Sequence, residues 1–144
     1  MLANAVSLLL NALFVVPLVI AVVLKRVGPA LITVEMIFVS VTVEFLKPLF
    51  DSPRPTGAIG CDAFCRGPAV GGKPGFPSGH MATTTAFATS MAFLFPTPLV
   101  IGSCVALVAA MGWSRYAKKC HTLTQIIGGT LYGFAIAILF KGFL

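Results

Sequence analysis

Residues 2–24 read LANAVSLLLNALFVVPLVIAVVL, a stretch without a single charged side chain that ends at Lys25 and Arg26. An α-helix rises 1.5 Å per residue, so a helix of this length crosses the roughly 30 Å hydrocarbon core of a bilayer. Pro17 is the only helix-breaking residue in the stretch. The sequence therefore predicts that the chain begins with a membrane-spanning helix.

Four more apolar segments follow, each bounded by glycine, proline or charged residues. The predicted helices are residues 2–24, 29–46, 79–95, 99–113 and 122–140. A tight turn at residues 96–98, Pro-Thr-Pro, separates the third helix from the fourth. The pattern predicts an all-α, polytopic membrane helix bundle of about five transmembrane helices, forming a single domain over residues 1–144.

The composition excludes a water-soluble globule. The chain has 144 residues, of which 58% are hydrophobic and only 10% charged, whereas soluble domains contain about 25% charged residues. The net charge is +6, but no run of five Lys or Arg residues occurs, so we expect no nucleic-acid partner. In a membrane protein, such basic residues face lipid headgroups or an anionic substrate.

One long polar loop, residues 48–77, lies between the second and third helices. Such a loop cannot lie in lipid, because its backbone polar groups would lack partners. With five spans, this loop and the connection at residues 114–121 lie on the same membrane face. A positive-inside count of seven basic residues against three would make this face cytoplasmic, but the count falls to four against three if three of them are ligands.

Three segments on this face carry residues suited to binding a phosphate. In the first, Lys47 offers an ammonium group and Arg54 a guanidinium group that can contact two phosphoryl oxygens. The second is PSGH at residues 77–80, which opens the third helix. There Ser78 can cap the helix, and Gly79 allows close backbone approach, so free N–H groups point at an anion.

The third segment is SRYAKKCHTLTQ at residues 114–125. It adds Arg115, and it places His121 and Gln125 on one helix face through their i, i+4 spacing. The three segments together therefore predict a site for an anionic phosphate at one membrane face.

In this order, the segments resemble the three signatures of the type 2 phosphatidic acid phosphatase superfamily, membrane lipid phosphatases related to vanadium haloperoxidases. The resemblance implies hydrolysis of a lipid phosphate through a phosphohistidine, with no metal and no cofactor. It makes His121 the nucleophile and His80 the general acid. The phosphate-binding residues that it implies are Lys47, Arg54, Ser78, Gly79 and Arg115.

The third segment departs from the commonest family pattern, because Gln125 stands where an aspartate is usual. An amide oxygen can still accept the His121 N–H and orient the ring. If the amide only orients the ring, aspartate at this position should preserve or raise the rate. The run HTLTQI at residues 121–126 is similar to that of dolichyl and polyprenyl diphosphate phosphatases, which favours a prenyl diphosphate over phosphatidic acid as substrate.

Size is a second departure, because only two predicted helices precede Lys47 where family members commonly have three. An alternative is therefore a catalytically inactive, lipid-binding or structural membrane protein in a larger membrane-bound assembly, such as an enveloped particle. Many transporters contain internal repeats, and this sequence has none, so a transporter is not favoured. The expected location is an integral multi-pass membrane position, in the endoplasmic reticulum if the source is a eukaryotic cell.

The cysteines leave alternatives open. Cys61 and Cys65 form a disulfide if their face is lumenal or extracellular, or join His80 and His121 at a zinc ion, although the spacing fits zinc sites poorly. Cys120 is interpreted as incidental.

The helices carry two further features that lead to predictions. We expect Glu35 to face the bundle interior and Glu44 to pair with Lys47 or with an arginine. The pair Gly129 and Gly133 permits close helix contact, either within the chain or in a homo-oligomer.

Overall fold

The computed structural model describes all 144 residues and contains five α-helices and no β-sheet. The helices are α1 (Leu2–Leu24), α2 (Val27–Leu46), α3 (Gly79–Leu94), α4 (Pro98–Ala117) and α5 (Leu123–Phe140). Short 3₁₀ turns follow α2 and α5, at Lys47–Leu49 and Lys141–Phe143. The predicted all-helical membrane bundle is confirmed.

The shortest helix, α3, lies at the centre of the bundle. Ten of its 16 residues are buried, and it packs against all four other helices. The other four helices are long and apolar enough to cross a membrane. Because α3 is surrounded by protein rather than lipid, it does not need an apolar outer surface and is rich in threonine and alanine. Of the five predicted spans, the third is thus a shorter helix enclosed by the others.

Glycines allow α5 to approach α3 closely. A Cβ atom on Gly133 would overlap the carbonyl oxygen of Ala82, and one on Gly129 would overlap that of Ser78. Both glycines therefore face α3, and this Gly-x3-Gly pair serves packing within the chain.

Polar pairs join α2 to α3. The Ser90 hydroxyl donates to Glu35 Oε2 at 2.6 Å, and Ser40 and Thr83 are hydrogen bonded at 3.1 Å. Glu35 is fully buried, which confirms its predicted orientation toward the bundle interior.

The fourth helix continues beyond its predicted end at residue 113, through Ala117. Ser114 and Arg115 are therefore helical, and only residues 118–122 connect α4 to α5. The reason is a buried contact with α1, in which Ser114 Oγ lies 2.6 Å from Ser7 Oγ and Arg115 Nη1 donates to the same hydroxyl at 3.0 Å. Such a contact between distant segments leaves no mark in the local hydropathy.

The long loop between α2 and α3 is irregular and is attached to α1 and to the connection between α4 and α5. A disulfide joins Cys61 to Cys120, in the connection between α4 and α5. Asn11 of α1 donates to the Ala63 carbonyl at 3.0 Å, and Lys118 donates to the Gly60 carbonyl at 2.6 Å. These attachments fold the loop over the end of the bundle.

The Cys61–Cys65 disulfide, which the sequence left as one alternative, does not form, and the interpretation of Cys120 as incidental is wrong. Cys65 is a free thiol, and its Sγ lies 3.0 Å from Lys118 Nζ. Cys61 instead meets Cys120, because the fold brings the loop against the connection between α4 and α5. The zinc alternative also fails, since Cys61 is bonded to another sulfur and no three His, Cys, Asp or Glu side chains cluster as metal ligands.

Candidate active site

A cavity of about 450 Å³ lies beneath the long loop, at the ends of α2 and α3. Five of the eight residues predicted for the site line it, namely Lys47, Arg54, Gly79, His80 and His121. Both histidines therefore reach one space, although 41 positions separate them in the sequence (121 minus 80). This is the convergence that a shared phosphorus centre requires.

Hydrogen bonds define the tautomer of His121, which is buried and only 2% exposed. Its Nδ1 lies 3.2 Å from Gln125 Oε1, and its Nε2 lies 3.3 Å from Arg54 Nη1. An amide oxygen can only accept and a guanidinium can only donate. We therefore assign the proton to Nδ1 and the lone pair to Nε2, the nitrogen beside Arg54.

The Gln125 side chain connects His121 to the long loop. Its Oε1 accepts from His121 Nδ1 and from the Thr122 backbone N–H at 3.2 Å, completing a capping box at the start of α5. Its Nε2 donates to Ser52 O, Ser52 Oγ and Pro53 O at 3.2, 2.9 and 3.0 Å. All three partners of Nε2 are oxygen atoms that can accept a hydrogen bond. The NH₂ group of the amide must therefore point toward them, which determines the orientation of the amide.

This second function of Gln125 was not predicted from sequence, and Ser52 was missed altogether. The one sequence feature that points to it is the amide itself, because an aspartate at position 125 has no hydrogen to donate. The residues that it holds lie 72 and 73 positions away.

Electrostatics favour a neutral imidazole at position 121. Burial, followed by the positive charges of Arg54 and Arg115, holds the pKa of His121 well below its usual range, and the Gln125 hydrogen bond opposes this only in part. Each of these positive charges disfavours a second proton on the ring. The Nε2 lone pair is therefore available at neutral pH.

Arg54 is fixed from several sides and keeps one nitrogen free. Its Nη1 also donates to the Cys120 carbonyl at 3.3 Å, and its Nε donates to Pro74 O at 3.4 Å. Its backbone N–H donates to Lys73 O at 3.0 Å. Nη2 has no hydrogen-bond partner within the protein, so it can donate to a phosphoryl oxygen in the cavity.

Lys47 begins the 3₁₀ turn after α2 and forms an ion pair with Glu44, as predicted. The Lys47 side chain is 14% exposed and that of Glu44 is 68% exposed. Both residues line the cavity, and the carboxylate is the more exposed member of the pair. Lys47 is the second cation beside the histidines.

The first turn of α3 supplies Gly79 and His80. His80 is 8% exposed, and its buried Nε2 has no hydrogen-bond partner in the protein. The N–H groups in the first turn of a helix lack intrahelical partners and carry the positive end of the helix dipole. This turn therefore offers both a ring nitrogen and an anion-attracting helix end.

Three of the predicted residues do not line the cavity. Gln125 lies behind His121, and Ser78 is fully buried with an unpartnered hydroxyl that does not cap α3. Arg115 is also fully buried, and it donates to Ser7 and, at 2.8 Å, to the Cys61 carbonyl. Both terminal nitrogens of Arg115 are used within the protein, and phosphate binding by Ser78 and Arg115 stays a prediction.

Comparison with known proteins identifies the family. The family model of the PAP2 superfamily matches residues 28–144, a range that includes all three motif segments. Searches of curated proteins and of solved structures found no significant match. The family match and the membrane-crossing helices agree with the resemblance drawn from the motifs. The chain belongs to the PAP2 superfamily, and this membership supports a phosphatase that acts on phosphate esters.

Proposed function

We propose that this protein hydrolyses a lipid phosphate or diphosphate at the membrane face, through a phosphohistidine on His121. The observation that carries the proposal is the Nε2 lone pair of His121, buried in a cavity that His80 also lines and held beside the cationic Arg54. A nucleophile, a proton donor and a phosphate-binding cation therefore surround one space.

In the first step, His121 Nε2 attacks phosphorus, and the P–N bond forms as the P–O bond to the lipid breaks. His80, in its protonated form once the anionic phosphate is bound, gives a proton to the leaving oxygen and becomes neutral. In the second step, His80 accepts a proton from water, the water oxygen attacks phosphorus, and the P–N bond breaks to release phosphate. The Arg54 guanidinium, the Lys47 ammonium and the N-terminus of α3 stabilise the charge on the phosphoryl oxygens. No metal or cofactor enters this scheme.

The candidate substrates are polyprenyl or dolichyl diphosphates and phosphatidic acid. Apolar helices around the site support a lipid tail, which can remain in the bilayer while the phosphate enters the cavity. The HTLTQI run at residues 121–126 supports a prenyl diphosphate.

The disulfide supports a particular orientation in the membrane. Disulfides persist in oxidising compartments, and Cys61–Cys120 lies on the face that carries the cavity. We therefore place this face on the non-cytoplasmic side, which in a eukaryotic cell includes the lumen of the endoplasmic reticulum. This argument opposes the positive-inside count, which includes Lys47 and Arg54 of the cavity wall.

The test is phosphate release from dolichyl diphosphate and from phosphatidic acid, measured in detergent with a chelator present. Wild-type protein should be active, and His121→Ala should be inactive and form no acid-labile phosphoenzyme. Lys141→Gln, at the opposite end of the bundle, is the matched control and should behave as wild type. Activity that persists in His121→Ala excludes this nucleophile. An inactive wild type favours the structural, lipid-binding alternative.

A further inference from the structure

A second cavity of about 300 Å³ adjoins the first. The two cavities share four wall residues, Glu44, Lys47, Arg54 and Val70. A liquid water molecule takes up about 30 Å³, so this outer cavity can hold a phosphoryl group with part of its hydration. The shared wall makes the two cavities neighbouring compartments of one site.

Lys73 lines only the outer cavity. Backbone hydrogen bonds place this residue opposite Arg54. The Arg54 N–H donates to Lys73 O at 3.0 Å, and the Gly72 N–H donates to Arg54 O at 3.2 Å. The position of Lys73 relative to Arg54 is thus set by the fold of the loop.

The charges in the outer cavity favour an anion. Three cations line it, Lys47, Arg54 and Lys73, against the single carboxylate of Glu44. The Arg54 side chain reaches both compartments, because its Nη1 contacts His121 while its Nε contacts Pro74 in the outer wall. Lys47 and Arg54 can therefore contact two phosphoryl groups at once.

We propose that the outer cavity binds the lipid-linked phosphoryl group of a lipid diphosphate, and that Lys73 makes the enzyme prefer diphosphates to monophosphates. This inference rests on the proposed function. The terminal phosphoryl group occupies the inner cavity and is transferred to His121 Nε2. The bond from its phosphorus to the bridging oxygen breaks, and that oxygen leaves on the lipid monophosphate, taking the proton of His80.

The surroundings of the outer cavity suit the lipid end of such a substrate. Phe45 and Leu49, at the end of α2 and in the 3₁₀ turn after it, are each 75% exposed and can contact the apolar chain. A monophosphate places its only phosphoryl group in the inner cavity, and its uncharged tail then passes Lys73. Lys73 consequently interacts with diphosphates alone.

The experiment compares kcat/KM for a polyprenyl diphosphate and for the monophosphate with the same tail. In Lys73→Gln, we expect the value for the diphosphate to fall about tenfold, equivalent to about 1.4 kcal/mol, and the value for the monophosphate to change less than twofold. Lys73→Arg should restore the preference. Arg66→Gln is the matched control, since Arg66 is an exposed cation on the same loop that lines neither cavity.

The outcomes separate this inference from the proposed function. If wild-type protein releases no phosphate from either lipid, the proposed function fails. If the wild type is active but Lys73→Gln lowers both values equally or neither of them, only the assignment of Lys73 is overturned. An equal loss of preference in Arg66→Gln would also overturn it, because general surface charge would then explain the effect.

Discussion

Replacing Gln125 by glutamate tests whether the amide does more than orient the His121 ring. Glutamate has the same shape and keeps the oxygen that accepts from His121 Nδ1. The exchange removes the donor that contacts Ser52 O, Ser52 Oγ and Pro53 O at 2.9 to 3.2 Å. It also places a carboxylate oxygen against the two backbone carbonyl oxygens, which can only accept hydrogen bonds. Gln125 is fully buried, so water cannot take over these contacts.

The loss can be worked out from the hydrogen bonds. The NH₂ group has two hydrogens, so two hydrogen bonds are lost at about 1 kcal/mol each, with a further cost of up to about 1 kcal/mol for the unsatisfied buried acceptors. Because each 1.4 kcal/mol corresponds to a factor of ten, a total of about 2 to 3 kcal/mol predicts a decrease in kcat/KM of about 30- to 150-fold. The decrease arises because the segment bearing Arg54 leaves its position beside His121.

The assay combines phosphate release with amide hydrogen exchange. In Gln125→Glu, the backbone N–H groups of Arg54 and Gly75, which bond to loop carbonyls, should exchange faster than in wild type. Ser52→Ala removes only one of the three acceptors and should lose tenfold or less. A Gln125→Glu protein with kcat/KM within twofold of wild type and unchanged exchange would refute the reasoning, and the amide would then serve only to orient the ring.

Three further predictions concern pH, the disulfide and helix packing. Burial and nearby cations hold the pKa of His121 well below its usual range, so the acid limb of the kcat/KM profile should lie well below pH 6.5. Gln125→Glu should move this limb to higher pH, because a carboxylate stabilises the imidazolium, and an unmoved limb would contradict this. Reductant should lower the thermal midpoint of wild type and of Cys104→Ser but not that of Cys120→Ser, because a disulfide contributes about 2 to 4 kcal/mol to the free energy of unfolding. Equal melting of the wild type with and without reductant would disprove this contribution. Gly133→Ala should destabilise the bundle by about 1 to 3 kcal/mol, because the added methyl group overlaps the α3 backbone. Gly102 has open space around it, so Gly102→Ala should be neutral or stabilising, and similar melting of the two variants would contradict the packing.

Local sequence properties are sufficient to predict the helices and the convergence of the motifs. The apolar segments determine where α1, α2, α4 and α5 run, and the number of helices determines which loops share a face. Lys47 follows the end of α2, and His80 lies in the first turn of α3, so both reach that face once the helices form. Five of the eight predicted site residues consequently line one cavity.

Contacts between distant residues were not predicted, because no local pattern encodes them. The partner of Cys61 is 59 positions away, and Ser7 meets Arg115 across 108 positions. Arg115 illustrates the consequence. Its motif position predicts a phosphate ligand, but its direction depends on α1, which packs against α4 and offers a hydroxyl to the guanidinium.

The placement of Arg54 depends on these distant contacts more than on its own segment. The loop that carries Arg54 has no helix or sheet of its own, and its two arms are paired only by an isolated bridge between Pro53 and Pro74 and the few backbone hydrogen bonds around it. Gln125 of α5 holds the residues immediately before Arg54, and the carbonyl of disulfide-bonded Cys120 accepts from its guanidinium. Phosphoryl transfer depends chiefly on positioning and electrostatic stabilisation. Residues that touch no substrate, such as Gln125 and Cys120, should therefore influence the rate through the distance between one cation and one imidazole nitrogen.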